Sequence, residues 1–215
     1  MTNWEKEQRI LEISDISTFE IPKDIFEKIK VYVKNAKQHH NLTNITLAGH
    51  IKEEYNLLNQ DIDKDVFEYM EDCTYKGSYY QYNLSKMDVL KGGLPLKLDS
   101  FWVNYQKKHE FNPMHNHSGV TSFIIFVQIP YDLEEEMKCF PATNPKIPNY
   151  TSKLAFLNFN RDGSPVSLPT AVDKSFEGKM IMFDAKKYHM VYPFYTSDDY
   201  RITISGNFKF DDTIK

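Results

Sequence analysis

The sequence predicts a mainly β protein, an antiparallel barrel or sandwich with helices in front of it. Three observations lead there. Six apolar or β-branched runs crowd into the last 120 or so residues: 96-LKLDSFWVNYQ-106, 120-VTSFIIFVQIP-130, 153-KLAFLNF-159, 179-KMIMFD-184, 188-YHMVYPF-194 and 200-YRITISGNFKF-210. Several of them alternate with period two, and Gly, Pro, Asn or Asp lie between them. Aromatic residues reach 14% (Tyr 14, Phe 15), a load that suits pleated, half-buried surfaces. Short strands at this spacing close into a barrel or stack into a sandwich.

The first third reads differently. Residues 10–21, ILEISDISTFEI, alternate loosely before Pro22 and suggest an early strand and a turn. Residues 23–38 place Ile25, Phe26, Ile29, Tyr32 and Val33 at helical spacing, with polar residues opposite. Residues 46–60 carry a weak pattern and suggest a loop or a short helix. A second helix is expected through Lys76, capped by Asp61 or Asp63, with Val66, Phe67, Met70 and Cys73 on one face. KGGLP (91–95) signals a turn. Residues 131–152, with three prolines and the run EEE at 134–136, are expected to form a long solvated loop between strands. The division anticipated is 1–79, an N-terminal strand and helices, packed on a β core of 80–215 in one integrated domain.

Composition bounds the function. The chain has 215 residues, 41% hydrophobic and 26% charged, with formal net charge −4. No basic tract supplies a nucleic-acid footprint. No run approaches the roughly 18 apolar residues of a membrane helix. The start, MTNWEKEQRI, lacks the basic and apolar regions of a signal peptide. Cys73 and Cys139 have no CxxC spacing and are expected as free thiols in a reducing cytoplasm. The sequons at Asn41, Asn44, Asn83, Asn116 and Asn149 carry no weight there.

The stretch 109-HEFNPMHNHSGVTSF-123 holds three of the seven histidines. His115 and His117, at i and i+2, can face one divalent ion if the chain leaves regular strand geometry between them. His189, in an apolar run, can supply a third imidazole if its strand lies beside the one that starts near Ser122. On the alternating segment 201-RITISGNF-208, Arg201, Thr203, Ser205 and Asn207 share one face. An arginine with hydroxyls two and four residues on forms a fork for a carboxylate. A metal site beside a carboxylate clamp is what a keto-acid cosubstrate requires.

These segments, 102–130, 178–194 and 201–208, resemble the iron(II)/2-oxoglutarate-dependent oxygenases, in particular the small ones of T4-like phages and marine bacteria. The resemblance implies a double-stranded β-helix (jelly-roll, cupin-like) core and the cofactors Fe(II), 2-oxoglutarate and O2. It places the family's metal histidines on His115 and His189 and its arginine on Arg201, with Thr203 or Ser205 as hydroxyl partner. The cosubstrate-binding tyrosine falls on Tyr105, with Asn104 as the other candidate. The usual pattern has a carboxylate where this chain has His117. The metal role carries over to His117, and Asp184 and Glu110 are the acids nearest in sequence that could replace it. Glu110 could instead orient an imidazole. Phe101, Trp102 and Phe126 read as core. The activity implied is hydroxylation coupled to 2-oxoglutarate decarboxylation, with a prolyl- or aspartyl-type protein side chain among the substrates, in the cytoplasm (the host's, if phage-encoded). Two alternatives stay open: a three-histidine cupin-type dioxygenase that needs no 2-oxoglutarate, and a non-catalytic metal-binding jelly roll.

Overall fold

A strand that is apolar on both faces must be covered on both faces. Residues 121–128 point Phe123 and Ile125 one way and Ile124 and Phe126 the other, and all four are buried. Residues 179–184 repeat the arrangement with Met180 and Met182 against Ile181 and Phe183. A central sheet with a layer on each side is the only way to satisfy both segments.

The computed structural model describes residues 2–12, 15–39, 42–43, 49–87, 95–140 and 149–211. In chain order the elements are α1 (Asn3–Glu12), β1 (Ser17–Glu20), α2 (Lys23–Ala36), β2 (Glu54–Asn56), α3 (Lys64–Lys76), α4 (Ser78–Tyr82), β3 (Leu96–Gln106), β4 (Asn112–His115), β5 (Thr121–Gln128), α5 (Leu133–Cys139), β6 (Leu154–Phe159), β7 (Pro165–Thr170), β8 (Lys179–Asp184), β9 (His189–Val191) and β10 (Arg201–Phe210). The major sheet has the order β1-β8-β5-β10-β3-β2, the minor sheet β4-β9-β6-β7. From β3 to β10 the chain winds back and forth between the two sheets, and every pairing is antiparallel. This is a double-stranded β-helix, the jelly roll.

One core lies outside the major sheet, where Ile25, Ile29 and Val33 of α2 and Val66, Met70 and Cys73 of α3 meet Val103, Ile125, Met182 and Ile204. The other lies between the sheets, where Ile124, Phe126, Ile181 and Phe183 meet Leu154 and Phe156. Burying a side chain of this size is worth about 1.5–3 kcal/mol, so these two cores fix the sheet in place. Gly206 of β10 is needed for close approach: a Cβ there would lie 2.5 Å from the Phe123 ring and 2.6 Å from the Ser100 carbonyl.

Several expectations are corrected. Residues 10–21 are not one strand. Helix α1 runs through Glu12 because Trp4 and Leu11, seven apart, share the buried face, and Trp4 packs edge-on against Phe176 at 4.8 Å. The strand is confined to β1. Glu54–Asn56 forms β2 where a loop or helix was expected, because it can pair with β3. Asp63 precedes α3 but makes no side-chain cap; its carboxylate accepts from the Tyr32 hydroxyl instead. The segment after 131 is not all loop. Asp132 accepts from the amides of Glu134 and Glu135 and starts α5. Strands β4 and β7 carry prolines that argue against strand, yet both lie at the edges of the minor sheet, where a missing N–H costs least. Most of the KGGLP turn, residues 91–94, lies outside the described residues. Cys73 is buried, Cys139 exposed, and both are free. Among the described residues no helix is long and apolar enough to cross a membrane.

Candidate active site

The two-faced strands β3 and β10 pair side by side, Thr203 opposite Asn104 and Ser205 opposite Trp102. Residues opposite one another point to the same face. The outer-facing Phe101, Val103 and Tyr105 join Ile204 and Phe208 in the helix-covered core. The inner-facing Trp102, Asn104, Gln106, Arg201, Thr203 and Ser205 line a narrow cavity of about 40 Å³ between the sheets.

His115, His117 and His189 line the same cavity. His115 ends β4 directly opposite His189 on β9. The neighbours of the His189 strand are therefore β4 and β6 in the minor sheet, not β5 as the sequence suggested. His117 lies past the end of β4, and its amide donates to the Ala185 carbonyl at 2.8 Å, which turns its ring back toward the other two. One nitrogen from each ring lies within 4.8 Å of the others. The ring centroids of His115 and His189 are 4.3 Å apart, and the Nε2 atoms of His117 and His189 approach to 3.1 Å. Nδ1 of His115 faces the Pro113 carbonyl at 2.7 Å, and Nδ1 of His189 faces the Lys187 carbonyl at 3.1 Å. A carbonyl at Nδ1 holds the proton there and leaves the Nε2 lone pair for a metal. Burial lowers the pKa of all three. His117 is pushed down to about 3, with the neighbouring His115 adding to the effect. His115 is lowered by burial, and His189 is lowered well below the ordinary value by burial and then by the other two rings. Neutral imidazole is the ligating form. Metal–imidazole bonds of about 2.1 Å space two adjacent ligands roughly 3 Å apart, so these residues fit a divalent ion.

Arg201 is 3% exposed, and all five of its N–H donors are engaged. Nε and one Nη2 hydrogen reach Oε1 of Gln106 at 3.0 and 2.7 Å. Nη2 also reaches the Tyr192 carbonyl at 2.8 Å, and Nη1 reaches Tyr131 Oη at 3.0 Å and the Ser152 carbonyl at 2.9 Å. Every one of these acceptors is neutral. A buried cation without an adjacent anion is costly, and a ligand carboxylate would offset that cost.

The family described as "Putative 2OG-Fe(II) oxygenase" matches residues 100–207, half of the chain. The chain belongs to the 2OG-Fe(II) oxygenases. Among solved structures, the fold resembles an oxidoreductase of the 2OG-Fe(II) oxygenase family from Burkholderia pseudomallei, with TM-score 0.52, 9% identity, and coverage of 95% of this chain and 89% of that one. It also resembles the non-heme alpha ketoglutarate dependent epimerase SnoN from nogalamycin biosynthesis, with TM-score 0.51, 11% identity, and coverage of 96% and 80%. No curated protein matches the sequence. As a 2OG-Fe(II) oxygenase the chain is an oxidoreductase of a family that uses Fe(II), 2-oxoglutarate and O2.

In this oxygenase, the remaining sequence candidates fall as follows. Asn104 is inside the cavity, and its Nδ2 reaches Thr203 Oγ1 at 3.3 Å and Ser205 Oγ at 3.4 Å. Tyr105 is not in the cavity. Strand alternation turns it to the other face, where its hydroxyl donates to the Val33 carbonyl of α2. Among the described residues no carboxylate joins the histidine cluster. Asp184 Oδ1 accepts from the Lys186 amide and Glu110 Oε2 from the Lys107 amide, and neither acid is part of the histidine cluster. Trp102, read as core, lines the cavity and stacks on His117 with centroids 5.6 Å apart. Phe126 is both core and cavity wall.

Sequence reasoning missed two residues. Gln106 occupies the fork of Arg201, and the only hint was its inward position on β3. Glu136, expected in solvent, is fully buried. It accepts from Ser152 Oγ at 2.7 Å, from the amides of Tyr195 and Thr196 at 2.9 and 2.7 Å, and from the Thr196 hydroxyl. It thereby ties α5 to the segment before β10 and holds Ser152, whose carbonyl faces Arg201. Only a helix starting at Asp132 distinguishes Glu136 from its two solvated neighbours.

Proposed function

We propose that this oxygenase holds Fe(II) with His115, His117 and His189 and anchors the far carboxylate of 2-oxoglutarate on Arg201, with Thr203 or Ser205 as hydroxyl donor. In this reading residues 80–215 are the catalytic core and 1–79 pack on it as part of one unit. One observation carries it: three neutral imidazoles converge in a cavity that also holds a buried guanidinium. Fe(II), with 2-oxoglutarate and O2, supplies the oxidising chemistry, giving succinate, CO2 and a hydroxylated substrate C–H. The protein's part is to orient and to exclude water. The Pro113 and Lys187 carbonyls fix two rings, Trp102 packs on the third, and Arg201 sets the direction of the dicarboxylate. The substrate is a prolyl- or aspartyl-type protein side chain or a small metabolite.

His117 in place of a carboxylate favours a second reading, a three-histidine dioxygenase that does not consume 2-oxoglutarate. Three neutral ligands leave the full dipositive charge on the ion, which changes how anionic ligands bind it. The test is succinate release by the anaerobically Fe(II)-loaded protein on exposure to O2. The proposal expects succinate from the wild type. It expects at least a 100-fold lower kcat/KM for 2-oxoglutarate in Arg201→Lys, which keeps the charge but loses the fork, with Co(II) binding retained. Oxygen uptake without succinate would favour the second reading. Normal kinetics in Arg201→Lys would remove the anchor assignment.

A further inference from the structure

Two of the three histidines rest on one short turn. Residues 184–187 lead from β8 into β9, and they make contacts on two sides. Toward the His117 loop, the Ala185 carbonyl accepts from the His117 amide at 2.8 Å, and the Ala185 amide donates to the Val120 carbonyl at 3.1 Å. Lys186 Nζ donates to the His117 carbonyl at 3.1 Å. Both backbone groups of His117 are therefore held by the turn. Toward β9, the Lys187 carbonyl faces His189 Nδ1 at 3.1 Å. His115 is held independently, by the Pro113 carbonyl of its own strand.

Asp184 holds the turn itself. Its Oδ1 accepts from the Lys186 amide at 2.9 Å, and its carbonyl accepts from the Lys187 amide at 2.9 Å. A side-chain acceptor two residues before the amide it binds is the Asx turn, which fixes the backbone where no ladder does. The Tyr79 hydroxyl of α4 faces the same carboxylate, and its pKa is raised by burial and then by the Asp184 charge. Ala185 is fully buried. Opposite the turn, Gly119 has φ +89°, and a Cβ there would lie 2.6 Å from the Phe208 carbonyl. The His117 loop is thus pressed between β10 and the turn. Any shift of the turn moves the acceptor of the His117 amide and the acceptor at His189 Nδ1 together.

We propose that Asp184 is a positioning residue: by fixing the 184–187 turn it aims His117 and His189 at the metal, acting as a hydrogen-bond acceptor and not as a ligand. The inference rests on the metal reading above and adds to it the device that couples two ligands. The rings lose their freedom when the chain folds, so less is lost when the metal binds. Through Tyr79, the helices in front of the β core bear on the metal site without touching it.

The test compares Asp184→Ala with Asp184→Asn in the full chain, by Co(II) titration and by nitrogen-15 NMR of the histidine rings in the metal-free protein. Asp184→Ala is expected to bind Co(II) about 10- to 100-fold more weakly. Asp184→Asn keeps the amide acceptor and should bind within about threefold of wild type. In the metal-free protein the Nδ1 proton of His189 should be seen in wild type and in the asparagine variant and be lost in the alanine variant, while that of His115 persists in all three. A general loss of stability would not single out His189. The proposal is overturned if the alanine variant keeps both the affinity and the His189 proton, if the asparagine variant is as weak as the alanine variant, or if the His115 proton is lost along with that of His189. Should Asp184→Ala not fold, Asp184→Ser takes its place, since a hydroxyl on a shorter stem holds the turn less well; Co(II) affinity and a His189 proton equal to those of the asparagine variant would then overturn it. Failure of the wild type to bind Co(II), with the His189 proton lost only in the alanine variant, would sink the metal reading and leave the role of Asp184 standing.

Discussion

Arg201, the cosubstrate anchor in the proposed reading, is already occupied, and the occupant can be removed. All five donors of Arg201 are used, and of its partners only Gln106 also lines the cavity. A carboxylate reaching Arg201 must therefore displace the Gln106 amide oxygen. The available space points the same way. A cavity of about 40 Å³ holds roughly three waters by probe volume, too few for a five-carbon dicarboxylate unless a side chain moves. Replacing Gln106 with Leu takes two hydrogen bonds from a charged donor, each worth about 1.5–3 kcal/mol. The ligand-free protein should lose about 3–6 kcal/mol of stability. The complex, where carboxylate oxygens take over the same N–H groups, should lose little. The difference appears as affinity: at about 1.4 kcal/mol per decade, 2-oxoglutarate should bind at least about 100-fold more tightly. Gln106→Glu should do the reverse, pairing with Arg201 permanently and weakening binding by at least 100-fold. Both effects are measured by anaerobic calorimetry on Co(II)-loaded protein, with thermal melts of the ligand-free forms. If Gln106→Leu binds 2-oxoglutarate no better than wild type, Gln106 is part of the bound state and the displacement reasoning fails.

Other outcomes follow from the same geometry. Glu54 has its pKa raised from 4.5 to about 7, so the folded state binds its proton more tightly than the unfolded chain does. The protein should lose stability as pH rises from 4.5 to 7 and lose no more above it, by about 3 kcal/mol in all. Glu54→Gln should flatten that part of a pH–melting curve, and an unchanged slope would show that Glu54 titrates normally. His117→Ala should lower Co(II) affinity by more than the 10- to 100-fold typical of an outer-shell partner. His117→Asp should keep the metal and shift its visible absorption; retained tight binding in the alanine variant would remove His117 from the ligand set. Tyr105→Phe should cost about 1 kcal/mol of stability through the lost bond to Val33 and leave the KM for 2-oxoglutarate unchanged. A raised KM would return Tyr105 to the site.

Local periodicity made the β core legible. Alternation placed Arg201, Thr203 and Ser205 on one face of β10 and Ile202, Ile204 and Phe208 on the other, and this two-faced strand is present. Five of the six apolar runs needed little more than trimming to become β3, β5, β6, β8 and β10; the sixth kept only His189–Val191. Helices α2 and α3 were likewise written in their own spacing. The elements that went unread lack such a pattern: β4 and β7 hold proline, and β2 depends on pairing with β3 on one side and bridging to Leu42 on the other.

The constellation around the histidines was partly visible, since the family resemblance attached roles to His115, His189 and Arg201. Tyr105 shows the limit. Its distance from His115 along the chain matched the resemblance, but each step along a strand reverses the side chain, and the structure turns Tyr105 toward α2. Whether His117 or an acid completes the cluster, that Gln106 caps Arg201, and that Glu136 and Glu54 are buried carboxyl groups are facts of long-range packing. Each depends on which segment the folded chain brings alongside, and one-dimensional spacing carries no record of that neighbour. Residue order fixes which face a side chain can take; only closure of the two sheets decides what it meets there.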